Sequence, residues 1–406
     1  MEVTVVGLGY IGLPTALMLA AGGFKVTGVD SQADKIRHLE AGKTDFVEPG
    51  LQTLFDQVFT HISFKQDYPA SAFYIVAVPT PYDKITKKIN PDYVTEAIKA
   101  ILPVARENAV IVIESTISPG TIRTHVAPLV KTLRDRTGKN IYLAHAPERI
   151  IPGNMLYELV HNARTIGCDD VTMGEKVRRV YSTFCRGEII LTDIATAEMT
   201  KVVENTYRDI NIAFANELAK LCHLSGLDVY EIIRIANKHP RVRILNPGPG
   251  VGGHCISVDP WFLVGDYPLE TSLIYEARKI NDSMPEYVLE RIYTIMQEKH
   301  LTNLSRVGLY GLTYKENVDD VRNSPTLQLL NSMQHHLSQG ICVYDPLVHT
   351  QLVENQFNDF ESFLQQIDLM VIMVGHQHLL DNLSLIKGKF IFDTRHVLGK
   401  LAQYSL

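Results

Sequence analysis

Three glycines near the N-terminus, Gly7, Gly9 and Gly12, have the spacing G-x-G-x-x-G. A short apolar run at residues 2–6 precedes them, and residues 13–21 have the composition of a helix. Because the glycines stand between a strand-like and a helix-like segment, the pattern predicts the start of a βαβ unit with a nucleotide-binding turn. A glycine turn that binds no ligand is the alternative interpretation.

The next apolar run, residues 25–30, ends in a carboxylate, Asp30. In such a unit the turn backbone, here including Tyr10 and Ile11, approaches a pyrophosphate at the helix N-terminus, and the acidic side chain accepts hydrogen bonds from a ribose diol. A carboxylate at that place would repel the 2′-phosphate of NADP. The sequence therefore predicts NAD as the cofactor.

Strand-like and helix-like segments continue to alternate after this unit. Further strands are predicted at residues 73–78, 109–113 and 141–144, and helices at residues 92–105 and 121–134. Such alternation is typical of a doubly wound parallel sheet. We predict that this Rossmann domain covers residues 1–191.

Residues 197–225 contain no glycine or proline and predict one unusually long helix. A second α/β pattern follows, with strands predicted at RVGLYGL from Arg306 and at residues 341–344, 369–374 and 390–393. The predicted fold class is α/β, with two Rossmann-like doubly wound parallel-sheet domains joined by a long central helix and a helical middle domain. The predicted boundaries are residues 192–300 for the middle domain and 301–406 for the second Rossmann-like domain.

The composition excludes several classes of protein. The net charge of −6, without a run of lysines or arginines, argues against a nucleic-acid or membrane partner. There is no signal segment and no uninterrupted stretch of about 18 apolar residues, so a cytoplasmic location is expected. The five cysteines are odd in number and widely scattered, which indicates neither a disulfide framework nor a metal site.

Three loops follow predicted strands of the first domain, at the edge where parallel sheets bind ligands. They hold Thr80, Thr116 and the neighbours Glu148 and Arg149. Thr116 either caps a helix or contributes to a site. Glu148 either forms a surface pair with Arg149 or acts as a general base at the strand end.

The predicted long helix holds Lys201, Asn205 and Arg208, which are three or four residues apart and so share one face. This face either is solvated or contributes three polar side chains to a site.

A glycine-rich loop, GPGVGGHCISVDPWFL at residues 248–263, holds Cys255 and, four positions later, Asp259. Glycines let the backbone approach a ligand closely, and an aspartate here is poor core material. A thiol beside NAD suggests covalent catalysis, since an aldehyde held on sulfur as a thiohemiacetal can lose a second hydride and give a thioester that water hydrolyses. A structural turn with an incidental cysteine is the alternative.

Two cations, Lys315 and Arg322, lie in a loop before a predicted helix of the second α/β half, and Arg395 follows the last predicted strand. These side chains suit an anionic ligand. Salt bridges with Asp319 and Asp320 are the alternative explanation.

Taken together, these motifs resemble the nucleotide-sugar 6-dehydrogenases, the family of UDP-glucose and UDP-N-acetylhexosamine dehydrogenases. The resemblance runs from the N-terminal glycines to Asp393-Thr394-Arg395, and YIGLPTA and FVEPGL contribute to it. Its most specific part is GPGVGGHCISVDPWF, which looks like the version of the cysteine loop found in the UDP-N-acetylmannosamine branch.

The resemblance implies oxidation of the sugar C6 alcohol to a carboxylate at one site, with two NAD consumed. Cys255 would form the thiohemiacetal and the thioester. Lys201 and Asn205 would stabilise the developing oxyanion. Asp259, together with Thr116 and Glu148, would position or activate the hydrolytic water.

The resemblance also implies the ligand contacts. Arg149, Gly252, Lys315 and Arg395 match substrate-binding positions, and Thr80, Thr116 and Arg322 match positions at the cofactor. An arginine ahead of the cysteine loop reaches the substrate of the partner subunit in relatives, and Arg241 or its neighbour Arg243 would have that role here. The family pairs its long helix with that of a second copy, so a homodimer is expected.

The identity of the sugar depends on a departure from the family pattern. UDP-glucose dehydrogenases carry a lysine before the loop aspartate, and this chain has Val258. The resemblance therefore favours UDP-N-acetyl-D-mannosamine, and a product destined for a surface polysaccharide such as a capsule, over UDP-N-acetylglucosamine or UDP-glucose. A two-electron dehydrogenase of the 6-phosphogluconate or 3-hydroxy-acid type, or a catalytically silent nucleotide-sugar sensor, are further alternatives.

Overall fold

The computed structural model describes residues 1–334 and 340–406. These residues form two compact units, Met1–Glu204 and Asn205–Leu406, and each contains one β-sheet. The predicted fold class, two Rossmann-like α/β halves and a long helix between them in the sequence, is confirmed. None of the helices in the described ranges combines the length and the hydropathy of a membrane-spanning segment.

The sheet of the first unit has eight strands. They are β1 (Glu2–Val6), β2 (Lys25–Val29), β3 (Ile62–Lys65), β4 (Phe73–Val76), β5 (Ala109–Ile113), β6 (Ile141–His145), β7 (Arg164–Gly167) and β8 (Ile189–Thr192). Their order is β3-β2-β1-β4-β5-β6-β7-β8, so the chain reverses its direction of travel beside β1, as in a doubly wound sheet. All pairs are parallel except β6 and β7, which meet antiparallel at His145 and Gly167.

Helices cover both faces of this sheet. They are α1 (Gly12–Ala21), α2 (Ala33–Glu40), α3 (Leu51–Val58), α4 (Asp92–Val104), α5 (Ala127–Thr137), α6 (Met155–His161) and α7 (Val171–Tyr181). Residues of β5 alternate between two apolar cores, with Val110 and Val112 in one and Ile111 and Ile113 in the other. Burial of both faces explains why this strand is a continuous apolar run instead of an alternating one.

The helix predicted at residues 121–134 differs from the one observed. The chain first forms a π-helical turn, Ile122–Val126, and α5 begins only at Ala127. Pro128 lies in the first turn of α5 and has no N–H to donate to the carbonyl of Thr124, four residues earlier. The wider π turn accommodates that missing hydrogen bond.

The long helix α8 (Ile194–Ser225) begins three residues earlier than the predicted start at residue 197. Asp193 precedes it, and its carboxylate accepts a hydrogen bond from the backbone N–H of Thr196 at 2.9 Å. This is the geometry of an N-cap, which fixes where the helix starts. The helix continues past Glu204 into the second unit.

In the described residues of the second unit, the sheet has six strands, all parallel. They are β9 (Val307–Tyr310), β10 (Cys342–Tyr344), β11 (Gln356–Phe357), β12 (Leu369–Ile372), β13 (Phe390–Asp393) and β14 (Tyr404–Ser405), in the order β11-β10-β9-β12-β13-β14. Its helices are α9 (Val229–Ala236), α10 (Asp259–Asp266), α11 (Ser272–Asp282), α12 (Met284–Glu298), α13 (Pro325–Gln334), α14 (Phe360–Gln366) and α15 (Gln377–Asp381).

Polar side chains are buried between α8 and α11 in this unit. The Asn216 amide nitrogen donates to Asn281 Oδ1 at 2.8 Å, and Arg278 pairs with Asp209. Burial raises the pKa of Asp209 to about 6, and the charge of Arg278 opposes that rise. Buried polar groups need partners, so this network specifies how α11 packs on α8.

Candidate active site

The glycine turn of the first unit leaves its backbone accessible to a ligand. Gly7 has a left-handed backbone (φ 88°), and a Cβ there would lie 2.5 Å from the Ala77 carbonyl oxygen. A Cβ on Gly12 would lie 1.8 Å from the Gly7 carbonyl oxygen, so neither position accepts another residue. The space around Gly9 is open, with no atom within 4 Å of its Cβ position. This turn therefore fits a pyrophosphate at the N-terminus of α1.

Asp30, one residue after β2, is held next to the same turn. Its Oδ2 accepts from the backbone N–H of Leu8 at 2.9 Å, and its Oδ1 accepts from Gln32 N–H at 3.0 Å. Lys35 Nζ lies 3.6 Å from Oδ2. Each carboxylate oxygen keeps a second lone pair, so Asp30 can accept hydrogen bonds from a ribose diol as the sequence predicted.

The loops that follow β4 and β5 are joined at two predicted residues. Thr80 Oγ1 donates to the carbonyl oxygen of Thr116 at 2.7 Å. The segment after Thr116 is fixed by Glu198 of α8, whose carboxylate accepts from the N–H groups of Gly120 at 2.6 Å and Ile122 at 2.9 Å. Glu198 thus holds the Thr116 loop against the start of α8.

Glu148 does not form the surface pair with Arg149 that was the alternative to a functional role. It is buried, and its carboxylate forms an ion pair with Arg164 while accepting the backbone N–H of Arg149 at 2.7 Å. Arg164 Nη1 also donates to Glu114 Oε1 at 3.0 Å. Burial raises the pKa of Glu114 to about 7, against the opposing charge of Arg164. Two carboxylates therefore share one buried arginine.

The Arg149 side chain turns toward α8. Its Nη2 donates to Thr165 Oγ1 at 2.8 Å and lies 2.7 Å from Glu204 Oε1. The sequence predicted that this guanidinium binds the substrate. In the structure, the Glu204 carboxylate balances part of its positive charge.

Lys201 is buried on α8, with 6% of the residue exposed. Burial lowers the pKa of the nearby His145 to about 4, and the positive charge of Lys201 acts in the same direction. His145 is therefore neutral at pH 7, and because its Nδ1 lies 2.8 Å from the Ile113 carbonyl oxygen, Nδ1 carries the proton. Asn205, the next residue of the predicted face, is also buried. Arg208 is exposed, so at this position the alternative interpretation, a side chain in solvent, is the one observed.

In the second unit, the cysteine loop brings three predicted residues together. Cys255 is exposed and forms no disulfide. Its carbonyl oxygen accepts the N–H of Asp259 at 2.8 Å, in a turn that leads into α10. Asp259 is only 2% exposed, and its Oδ2 accepts from the Asn205 side-chain nitrogen at 2.6 Å. An exposed thiol thus lies one turn from a buried, oriented carboxylate.

The backbone of this loop packs against the loop that carries Arg322. Gly253 N–H donates to the Arg322 carbonyl oxygen at 2.9 Å, and the Asn323 amide donates to Gly253 O at 3.0 Å. A Cβ on Gly252 would lie 2.7 Å from Asn323 O, so the close approach needs glycine. The Arg322 guanidinium pairs with Asp320 at 2.6 Å, which is the salt bridge that the sequence left open.

Arg395 approaches the start of the cysteine loop. A Cβ on Gly248 would lie 2.9 Å from Arg395 Nη1, and Gly248 N–H donates to Asn216 Oδ1 at 2.8 Å. Arg241 and Arg243 are both exposed in the segment between α9 and the loop. Both side chains are therefore accessible to a second chain.

Three family models match consecutive parts of the chain. The NAD-binding domain of the UDP-glucose/GDP-mannose dehydrogenase family matches residues 1–185, the central domain matches residues 195–283, and the UDP-binding domain matches residues 308–400. The chain belongs to this family. NAD is therefore the cofactor of this dehydrogenase, as the turn at Gly7 and the Asp30 carboxylate predicted.

Relatives cover the dehydrogenase over nearly its full length. A UDP-N-acetyl-D-mannosamine dehydrogenase from Methanococcus vannielii is 40% identical, over 98% of this chain and 93% of the relative. The solved structure of a UDP-N-acetyl-mannosamine dehydrogenase from Staphylococcus aureus is 40% identical, with a TM-score of 0.89 over 100% of this chain and 98% of that one. A UDP-D-ManNAc dehydrogenase from Pyrococcus horikoshii superposes with a TM-score of 0.91 at 33% identity, over 100% and 99%.

Sequence reasoning missed the residues that orient the predicted ones. Three of these residues are buried. Arg164 contacts Glu148, Glu198 contacts the Thr116 loop, and Asn216 contacts the start of the cysteine loop. Charged or amide residues within otherwise apolar strand and helix faces were the available signal. That signal shows that a partner is needed but does not show which residue it is.

Proposed function

We propose that this dehydrogenase oxidises the C6 alcohol of UDP-N-acetyl-D-mannosamine to the carboxylate of UDP-N-acetyl-D-mannosaminuronate, a four-electron oxidation. The observation that carries the proposal is the exposed Cys255 thiol one turn from Asp259, which Asn205 orients. Relatives of about 40% identity named for this sugar support the choice of substrate. Val258 in place of a lysine supports it against UDP-glucose.

When bound, NAD would supply the hydride acceptor for each of the two oxidations, one molecule of NAD for each. The first oxidation converts the alcohol to an aldehyde and releases one proton. The Cys255 sulfur then adds to the aldehyde carbon, and the resulting thiohemiacetal loses a hydride and a proton to give a thioester. Water cleaves the carbon–sulfur bond, which releases the acid and restores the thiol.

The residues of the chain supply charge and orientation to these steps. Lys201 and Asn205 stabilise the oxygen that becomes negative when sulfur or water adds to the carbonyl carbon. Asp259 activates the hydrolytic water, with Thr116 and Glu148 helping to position it. Arg149, Gly252, Lys315 and Arg395 bind the substrate. Two of them, Lys315 and Arg395, lie within the family's UDP-binding domain, residues 308–400.

The test is the number of NADH molecules formed per sugar consumed. UDP-N-acetylmannosamine, UDP-N-acetylglucosamine and UDP-glucose are offered separately, and NADH is followed by its absorbance. We expect two NADH per sugar, with the first substrate strongly preferred. One NADH per sugar would contradict covalent capture, preference for another sugar would contradict the substrate assignment, and no NADH from any of them would favour the nucleotide-sugar sensor.

We also infer a homodimer formed through α8. Tyr207, Phe214 and Leu221 follow one another at intervals of seven residues and are 66%, 52% and 56% exposed, and Leu224 is 83% exposed. An apolar stripe of this kind on a long helix is suited to packing against a second copy. In the dimer, Arg241 or Arg243 would reach the substrate of the partner subunit.

Phe214→Glu places a charge in this stripe and is expected to give monomers in sedimentation velocity runs in which the wild type sediments as a dimer. Lys131→Glu, an exposed change on α5, is the control and should leave the dimer intact. A Phe214→Glu protein that remains dimeric would place the interface elsewhere.

The cytoplasm is the compartment that fits this mechanism. The reaction needs Cys255 as a reduced thiol, and thiols persist in reducing compartments. We infer that the acid made there is supplied to a surface polysaccharide.

A further inference from the structure

A short loop of the second unit, residues 313–317, carries Lys315 and is held by a buried histidine, His376. The backbone N–H of Asn317 donates to His376 Nδ1 at 3.0 Å. The Asn317 side-chain oxygen accepts the backbone N–H of Gln377 at 2.9 Å. Asn317 has a left-handed backbone (φ 59°), a conformation that asparagine adopts more readily than most residues. His376 and its neighbour Gln377 thus fix the turn at the end of the loop.

The hydrogen bonds determine the tautomer of His376. Nδ1 accepts an N–H and so carries no proton, which places the proton of the neutral ring on Nε2. Nε2 lies 3.2 Å from Asp345 Oδ2 and 3.2 Å from Thr313 Oγ1. The same Asp345 oxygen accepts the N–H groups of Leu312 at 2.6 Å and Thr313 at 3.1 Å. One carboxylate therefore orients both the imidazole and the beginning of the loop.

Lys315 lies between these two attachments. Thr313 Oγ1 donates to the Lys315 carbonyl oxygen at 2.9 Å on one side, and the Asn317 amide is fixed by His376 on the other. The next residue, Glu316, has its Oε2 3.9 Å from Arg395 Nη2. The loop therefore carries Lys315 together with an ion-pair partner of Arg395, the other cation assigned to the UDP-sugar.

We propose that His376 is a positioning residue for the nucleotide part of the substrate, because its Nδ1 holds the Asn317 amide and so fixes the Lys315 loop for the diphosphate. The inference rests on the proposed function, since it takes UDP as the ligand of this loop. His376 is 1% exposed and need not touch the ligand itself. Binding of NAD belongs to the turn in the first unit and should not depend on it.

Two substitutions separate the acceptor at Nδ1 from the donor at Nε2. In His376→Asn the amide oxygen takes the approximate place of Nδ1 and can still accept from Asn317, whereas in His376→Gln the longer side chain reaches Asp345 but offers no acceptor at that place. UDP binding to the full chain is measured by titration calorimetry. We expect UDP to bind about tenfold more weakly to His376→Gln, because the backbone amide of Asn317 is left without its partner. In His376→Asn the UDP affinity should stay within about threefold of the wild type.

The matched control is His378→Asn, two residues farther on. Its Nδ1 lies 3.1 Å from the Tyr310 hydroxyl and not next to an amide of residues 313–317, so UDP affinity should not change. An NAD titration on the same samples should give the wild-type affinity throughout, which shows that the first unit is folded. A far-UV circular dichroism spectrum and a thermal unfolding midpoint close to those of the wild type show that the second unit is folded as well.

The outcomes are distinct. Unchanged UDP affinity in His376→Gln, or equal weakening in both His376 variants while NAD still binds, would overturn the positioning role through Nδ1. A wild-type protein that binds NAD but not UDP would instead overturn the proposed function, and this inference with it.

Discussion

Cys255→Ser is expected to lower the rate of acid formation at least about 1,000-fold while leaving the affinities for NAD and UDP close to those of the wild type. A serine hydroxyl is a much weaker nucleophile than a thiol at neutral pH, so the aldehyde is not captured efficiently on the side chain. The Cys255 side chain is exposed, and the substitution should not disturb the core. Steady-state NADH formation and chromatography of the acid measure the effect.

The control for this prediction is Cys168→Ser. Cys168 is buried and its thiol donates to the Leu143 carbonyl oxygen at 3.4 Å, a bond that a hydroxyl can also form. This variant should retain turnover, because the thiol lies outside the proposed chemistry. Normal acid formation by Cys255→Ser would show that no covalent step at this residue is needed.

Asp259→Asn is expected to slow hydrolysis of the thioester about 100-fold and to leave the two oxidations faster than the release of acid. The asparagine oxygen can still accept from the Asn205 amide, as the carboxylate does at 2.6 Å, so the change removes the charge while keeping the packing. The covalent intermediate should therefore accumulate. A rapid burst of about two NADH per subunit, followed by slow turnover, is the expected kinetic trace.

Mass spectrometry of the quenched Asp259→Asn protein should show the sugar nucleotide attached at Cys255. Asp266→Asn, at the exposed end of the same helix, is the control and should give neither burst nor adduct. A slow enzyme without an accumulated adduct would mean that Asp259 acts before the thioester forms.

Local patterns in the sequence were sufficient to predict the fold class. The turn at Gly7, the strand ending before Asp30 and the glycine-free helix α8 each depend on residues close together in the chain. The antiparallel pairing of β6 with β7 could not be predicted in this way, because it depends on which edge of the sheet a later strand joins.

The candidate site shows the same division. Cys255 and Asp259 are four residues apart, and their relationship is a local turn that the sequence indicated. Arg164 and His376, by contrast, contact residues 16 and 59 positions away, Glu148 and Asn317 respectively. A single sequence shows that a buried arginine or histidine requires a partner, but only the fold brings the two together.

The two sheets of this protein share one hydrogen-bonding arrangement, which has a different role in each. In each, a carboxylate that follows the second strand accepts an N–H from the turn after the first strand, Asp30 from Leu8 and Asp345 from Leu312. Asp30 keeps lone pairs available, whereas Asp345 is 2% exposed and accepts from Leu312, Thr313 and Leu347, with His376 Nε2 also 3.2 Å away. The buried Asp345 carboxylate cannot accept hydrogen bonds from a ribose as Asp30 can. The two halves therefore have similar architectures but would bind different ligands, a dinucleotide in the first and a sugar nucleotide in the second.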